Sequence, residues 1–236
     1  MKTIVNGKID PSIKEVLEKL VKTNLDFYVV GGLLCQFYLN EHARFTKDVD
    51  IVFNSKPKVV EEELKKAFGN IDFNYDEERE SFYEPTFTCF TKVSGLRGQV
   101  EGKRINYFNK IKTEQYSYEG ITFMGAHIEY VIAEKLISLL NELSRPYKHL
   151  VDIYSFTKID QSLINKKEIK DYMLLINAQE NEFRKKINLN EHELPNMISE
   201  DKVFNPPFVV PTLQSKHNVS KEIMVLEVNK WLKTVL

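Results

Sequence analysis

Apolar positions in the first 125 residues change their period several times, and each change predicts a new element. Ile13, Val16, Leu17, Leu20 and Val21 recur at the i, i+3, i+4, i+7, i+8 spacing of one buried helix face. Asp10-Pro11 starts that helix, because Asp is a favoured N-cap and Pro suits the first turn. Asp26–Val30 reads as a short buried strand ending at Gly31-Gly32, and Leu33–Leu39 as a buried helix. Asp48–Phe53 is a second strand. Pro57 opens a helix through Phe68, with Glu61, Glu62 and Glu63 near its favourable N-terminal end. Strand-like runs follow around 86–93, 104–109 and 121–124, separated by Gly95, Gly98, Gly102 and Gly120 as hairpins require.

From Ile128 the period becomes helical. Val131, Ile132, Leu136, Leu139, Leu140 and Leu143 share one broad apolar face, and further helices are expected at about 147–157, 162–176 and 219–234. The segment 195–211, with Pro195, Pro206, Pro207 and Pro211, reads as an ordered irregular connection. The glycines tell the same story. All nine lie between Gly7 and Gly125, and the last 111 residues have none. The expected fold class is therefore α+β: a small mixed β-sheet core with flanking helices over residues 1–127, followed by a C-terminal helical bundle over 128–236.

Composition narrows the function classes. Lys plus Arg number 33 against 34 for Asp plus Glu, so the net charge of −1 excludes a basic nucleic-acid coat. With 42% apolar and 28% charged residues in 236, the chain has ordinary globular composition for one large domain or two modest ones. Residues 1–6 hold no apolar core of signal-peptide length, and the longest apolar stretch, Phe27–Leu39, is too short to span a bilayer. A cytoplasmic protein with no membrane partner is the expectation. Cys35 and Cys89 sit in apolar surroundings without metal-like spacing and read as plain core thiols.

One cluster carries chemistry: Val29-Val30-Gly31-Gly32, then Arg44-Phe45-Thr46-Lys47-Asp48-Val49-Asp50. Strand residues two apart share a face, so Asp48 and Asp50 project together while Val49, Ile51 and Phe53 face the core. Two adjacent carboxylates repel unless a cation or proton intervenes, and hard oxygen ligands of this kind suit Mg²⁺. Gly31-Gly32 sits at a strand-to-helix turn, where backbone N–H groups and the helix dipole favour a phosphate. A phosphate cradle beside an acidic pair points to nucleotidyl transfer. Taken singly, an Asp-x-Asp at a strand start is more often an exposed turn; the order and spacing of the whole run weigh against that here.

The run Gly31-Gly32, eleven residues, then Arg44-x-Thr46-x-Asp48-x-Asp50 resembles the nucleotidyltransferase toxins of the AbiEii type, minimal members of the polymerase-β-like superfamily. A second block agrees: Ile128–Leu136 with Lys135, followed by Arg145–Tyr154, is similar to the family's Lys-containing helix and its "R…RDlxDly" helix. The resemblance spans about residues 27–156. It implies that Gly31 and Gly32 hold the triphosphate of an NTP, that Arg44 and Thr46 shape that loop, and that Asp48 and Asp50 bind Mg²⁺. It further implies that Lys135 contacts the triphosphate and that Asp152 is the acid of the second motif. A tRNA or protein hydroxyl as acceptor and a cognate antitoxin as partner follow from the same likeness. On the residues alone, Lys135 reads better as a solvated lysine on an amphipathic helix, and Asp152 equally as a surface acid pairing with Lys148 one turn earlier.

Two departures bear on catalysis. The superfamily supplies a third carboxylate from a later strand, and the run Lys103–Phe108 places Asn106 there. Asparagine coordinates through its carbonyl but cannot accept a hydroxyl proton. Glu101, five residues earlier, takes that position only under a different strand register. The first acid of the second block is His149 here. These departures leave a second reading open: a catalytically weakened nucleotide-binding module acting through a partner protein. Residues 92–112 add Lys92, Arg97, Lys103, Arg104, Lys110 and Lys112 against Glu101 alone, interleaved with Tyr107 and Phe108. That run reads either as an RNA contact or as a solvated hairpin edge. Trp231 in the last helix reads as core or helix-docking surface, and Asp76–Glu80 as a solvated acidic loop.

Overall fold

The strand Phe27–Val30 (β2) is the hinge of the architecture, because it is short, apolar and hydrogen-bonded on both sides. It runs antiparallel to Val49–Phe53 (β3) and parallel to Ile121–Ala126 (β8). Six of the eight strands extend from that pair in the order β1-β7-β8-β2-β3-β6-β5-β4. The others are Lys2–Thr3 (β1), Ile71–Tyr75 (β4), Thr86–Val93 (β5), Leu96–Arg104 (β6) and Thr113–Tyr118 (β7). The computed structural model describes residues 2–4, 8–39, 42–75, 86–140, 146–179 and 219–236. The chain separates into two compact units, Met1–His127 and Ile128–Leu236.

In the first unit the helices are Ser12–Leu20 (α1), Gly31–Leu39 (α2) and Pro57–Phe68 (α3). Asp10 starts α1 as its sequence position predicts: its carboxylate accepts from the Ser12 amide at 2.9 Å and the Ser12 hydroxyl at 2.6 Å. Ile13, Val16, Leu17 and Leu20 are all buried. A Cβ added at Gly98 would lie 2.7 Å from Val16 Cγ2, so α1 packs on the face of β6 that carries Gly98 and Val100. Residues 99, 101 and 103 alternate to the other face and are half-buried.

The sheet departs from the sequence reading in two ways. The run expected at 104–109 is instead the end of β6, a turn, and a short 3₁₀ helix at Phe108–Lys110. The strand proper lies earlier, because a tight turn at Ser94-Gly95, both at positive φ, pairs Leu96 onward with β5. The strands β1, β4 and β7 carry mixed polar patterns and went unread, which makes the sheet larger than expected.

Among the described residues, the α-helices of the second unit are Ile128–Leu140 (α4), Pro146–Lys158 (α5), Lys166–Gln179 (α6) and Lys221–Val235 (α7). α4 packs on α5 and α6, and α7 on the same two. Tyr130 meets Tyr172 edge-on with ring centroids 5.5 Å apart. Trp231 is buried as expected, and its indole N–H donates to Gln161 at 2.6 Å. The expected connection at 195–211 and acidic loop at 76–80 lie outside the described residues, as do Leu143 and Arg145.

Candidate active site

Asp50 lies opposite Val30 at the end of β2 and beside Glu101 on β6. Cross-strand partners share a face, so register alone brings Asp50 and Glu101 together. Asp48, two residues before Asp50, projects the same way. Carboxylate oxygens of Asp48, Asp50 and Glu101 all lie within 4.8 Å of one another, and all three side chains are half-buried. Gln99 donates to Glu101 at 2.6 Å and orients it.

The turn that follows β2 is built around this cluster. Gly31 has φ +70, in the left-handed region, and a Cβ there would lie 1.9 Å from Asp50 Oδ2. Glycine is required twice over, by backbone conformation and by space. The next amide, Gly32 N–H in the first turn of α2, donates to Asp50 Oδ2 at 3.3 Å. The positive end of α2 therefore already faces an anionic group. A Cβ at Gly32 would sit 3.0 Å from Thr46 Oγ1 and 3.4 Å from an Arg44 guanidinium nitrogen. Thr46 is buried, and its hydroxyl lies 3.4 Å from Asp48 Oδ1. Gly31, Gly32, Arg44, Thr46, Asp48 and Asp50 thus converge on one turn.

Two residues of this arrangement escaped notice in the sequence or were placed second. Gln36, fully buried in α2, donates to the Arg44 carbonyl at 2.7 Å and accepts from the Lys8 amide at 3.0 Å. The Thr46 amide donates to Lys8 O and its carbonyl accepts from the Asp10 amide, each at 2.9 Å. The loop bearing Arg44 and Thr46 is therefore clamped from both sides. A buried glutamine within an apolar helix was the signal in the sequence. Glu101 is the other residue. Asn106 does not occupy the third-carboxylate position: it is exposed in the turn beyond β6, whose register ends at Phe53 opposite Arg104. The correction follows from where β6 begins.

Lys135 and Asp152 lie in the second unit, on α4 and α5. Both are buried, and Lys135 Nζ donates to Asp152 Oδ2 at 2.7 Å. Neither the solvated lysine nor the surface acid of the bare sequence reading describes these two residues, since both are buried. Cys35 and Cys89 are buried thiols, and burial pushes the Cys89 thiol up to about 12, so it is inert at neutral pH.

A mixed sheet presenting three clustered carboxylates beside a glycine turn and a helix N-terminus is the frame of a nucleotidyltransferase. The nucleotidyl transferase AbiEii toxin family of type IV toxin–antitoxin systems matches residues 16–208, and the chain belongs to that family. It is a nucleotidyltransferase. Among solved structures, the MenT4 nucleotidyltransferase toxin of Mycobacterium tuberculosis H37Rv is similar in fold. Its TM-score is 0.61 at 15% identity over 95% of this chain and 82% of that one. A putative nucleotidyltransferase from Helicobacter pylori gives 0.53 at 16% identity over 94% and 91%. JHP933 from the same species gives 0.51 at 16% over 94% and 88%. No curated protein matches the chain by sequence.

Proposed function

We propose that this enzyme transfers a nucleoside monophosphate from an NTP to a hydroxyl of an RNA acceptor, as the toxin of a pair with a cognate antitoxin. The observation that carries the reading is the meeting of Asp48, Asp50 and Glu101 beside the Gly31-Gly32 turn. Three hard oxygen donors so close repel one another unless a cation joins them, and the donor set suits Mg²⁺. When bound, the metal neutralises charge on the transferred and leaving phosphates.

The chain's own residues do the rest. The Gly32 amide and the N-terminus of α2 offer donors to the phosphates, and Arg44 adds a fixed positive charge behind them. Strand order β2-β3-β6 sets Glu101 on the side of Asp50 away from the glycine turn. There it accepts the proton of the attacking hydroxyl. The new bond joins the acceptor oxygen to the α-phosphorus; the bond from that phosphorus to the bridging oxygen breaks, and pyrophosphate leaves. Lys135 and Asp152 enter the proposal from the family motif, as an ammonium whose orientation a carboxylate fixes.

The weakened-module reading rests on Asn106 and His149; Glu101 beside Asp50 supplies the third carboxylate that Asn106 lacks, which favours transfer. No described helix is long and apolar enough to cross a membrane. The test is label transfer. The protein is incubated with each labelled NTP, Mg²⁺ and total cellular RNA, beside Asp50→Asn, Glu101→Gln and Asn106→Asp. Loss of label in the first two by at least about a hundredfold, with Asn106→Asp unchanged, is expected. Retained transfer in Asp50→Asn would overturn the site.

A further inference from the structure

Register sorts the basic run at 92–112 in a way its sequence does not show. Lys92 pairs with Arg97 and Thr86 with Lys103, so Lys92, Arg97 and Lys103 share the sheet face that carries Glu101. Arg104, opposite Phe53, points to the other face; Lys110 lies in the 3₁₀ helix and Lys112 beyond it. Phe90, opposite Gln99, joins the same face, and the Arg97 guanidinium sits over its ring at 3.9 Å from the centroid. Thr88 and Asn74 continue the face towards β4, and Asp72 is its opposing charge there. Lys92 and Arg97 are exposed, and Thr88, Phe90, Gln99 and Lys103 half-buried. No described helix of the first unit covers this side, since α1 packs on the Gly98 face.

We propose that this half-sheet is the acceptor platform, binding a single-stranded RNA segment that leads into the carboxylate cluster. A base stacks on the guanidinium plane of Arg97, which the Phe90 ring supports, and Lys92 and Lys103 meet the flanking phosphates. Phe90 stands two strand spacings across and two residues along from Asp50, about 12 Å, close enough for the next nucleotides to reach the reacting atoms. The proposal deepens the transfer reading and rests on it for the role of the RNA. Lys92, Arg97 and Lys103 stand against Asp72 and Glu101 on these three strands, a small positive excess that favours a polyanion. The planar Arg–Phe stack favours an unpaired base over an acidic peptide, which offers no π-face.

The experiment measures binding of a 5′-fluorescein, twelve-nucleotide single-stranded RNA of mixed sequence to the full chain by anisotropy, with an acidic peptide of equal length and charge alongside. Phe90→Ala and Arg97→Gln should each weaken RNA binding about tenfold. Arg97→Gln should also lower the log–log salt slope by about one. Phe90→Tyr should restore binding, and Lys22→Gln on α1 should change nothing. NTP binding should stay within about twofold throughout, since neither side chain touches the glycine turn. RNA binding unaltered in both Phe90→Ala and Arg97→Gln overturns the platform, and so does peptide binding as tight as RNA, which would make the face a protein site. The binding arm needs no catalysis. Absent label transfer with the expected binding pattern sinks the transfer reading and leaves the surface; intact transfer with an unchanged KM for RNA in Phe90→Ala does the reverse.

Discussion

Gly31 is the residue on which the site's geometry depends most directly. Its positive φ and the 1.9 Å approach of Asp50 mean that any side chain both strains the turn and displaces a carboxylate. Gly31→Ala should cost about 1–2 kcal/mol from backbone strain alone, read by chemical denaturation, and should abolish label transfer. Gln36→Leu tests the clamp. It removes the bonds to the Lys8 amide and the Arg44 carbonyl, each hydrogen bond worth about 0.5–1.5 kcal/mol. Stability should fall and the KM for NTP rise, because the loop that carries Arg44 is released. Gly31, Gly32, Asp48 and Asp50 were legible in the sequence because spacing on one strand and one turn fixes them. Glu101 was not, since its place depends on pairing with a strand fifty-one residues away, and local pattern cannot give that register.

At the scale of elements, two polar assemblies hold helices and strands in place. The buried Lys135–Asp152 pair joins α4 to α5. Removing one partner takes the nearest opposite charge from a buried ion, so Asp152→Leu should destabilise by about 3–5 kcal/mol, and adding Lys135→Met should recover much of the loss. Thermal melts of the two variants check this separately from activity. The second assembly ties β1 and β7 to α2. Burial pushes the Glu114 carboxyl up, but hydrogen bonds from Lys2, Tyr38 and Tyr116 outweigh it and hold it below its ordinary 4.5. A carboxyl held low contributes stability above its unfolded value and loses it as pH falls through its folded value. Wild type should therefore melt above Glu114→Gln at pH 7, with the gap closing below pH 4.5. Long apolar elements such as α1 and α4 were plain in the sequence. β1, β4 and β7 were hidden because their half-polar runs resemble loops until a neighbouring strand pairs with them.

For the whole molecule, ligand binding and stability are linked. If NTP and Mg²⁺ bind only the folded chain, saturation to a hundred times Kd adds about 2.7 kcal/mol. Calorimetry should show a raised melting temperature in wild type and none in Asp50→Asn. The near-neutral balance of 33 basic and 34 acidic residues hid a local asymmetry, because charge counts ignore which face a strand presents. Only pairing separates Lys92, Arg97 and Lys103 from the cations around them.

The strand order also sets when the enzyme comes to exist during its own synthesis. β3 is made early, yet its partner β6 follows some fifty residues later, and β8, the other neighbour of β2, later still. At about 5–20 residues per second, a ribosome takes roughly 3–10 s to travel from Asp50 to Glu101. Throughout that interval the nascent chain carries two of the three carboxylates and no central sheet to align them. The cluster on which the proposed transfer depends therefore closes only when the second half of the sheet has been made.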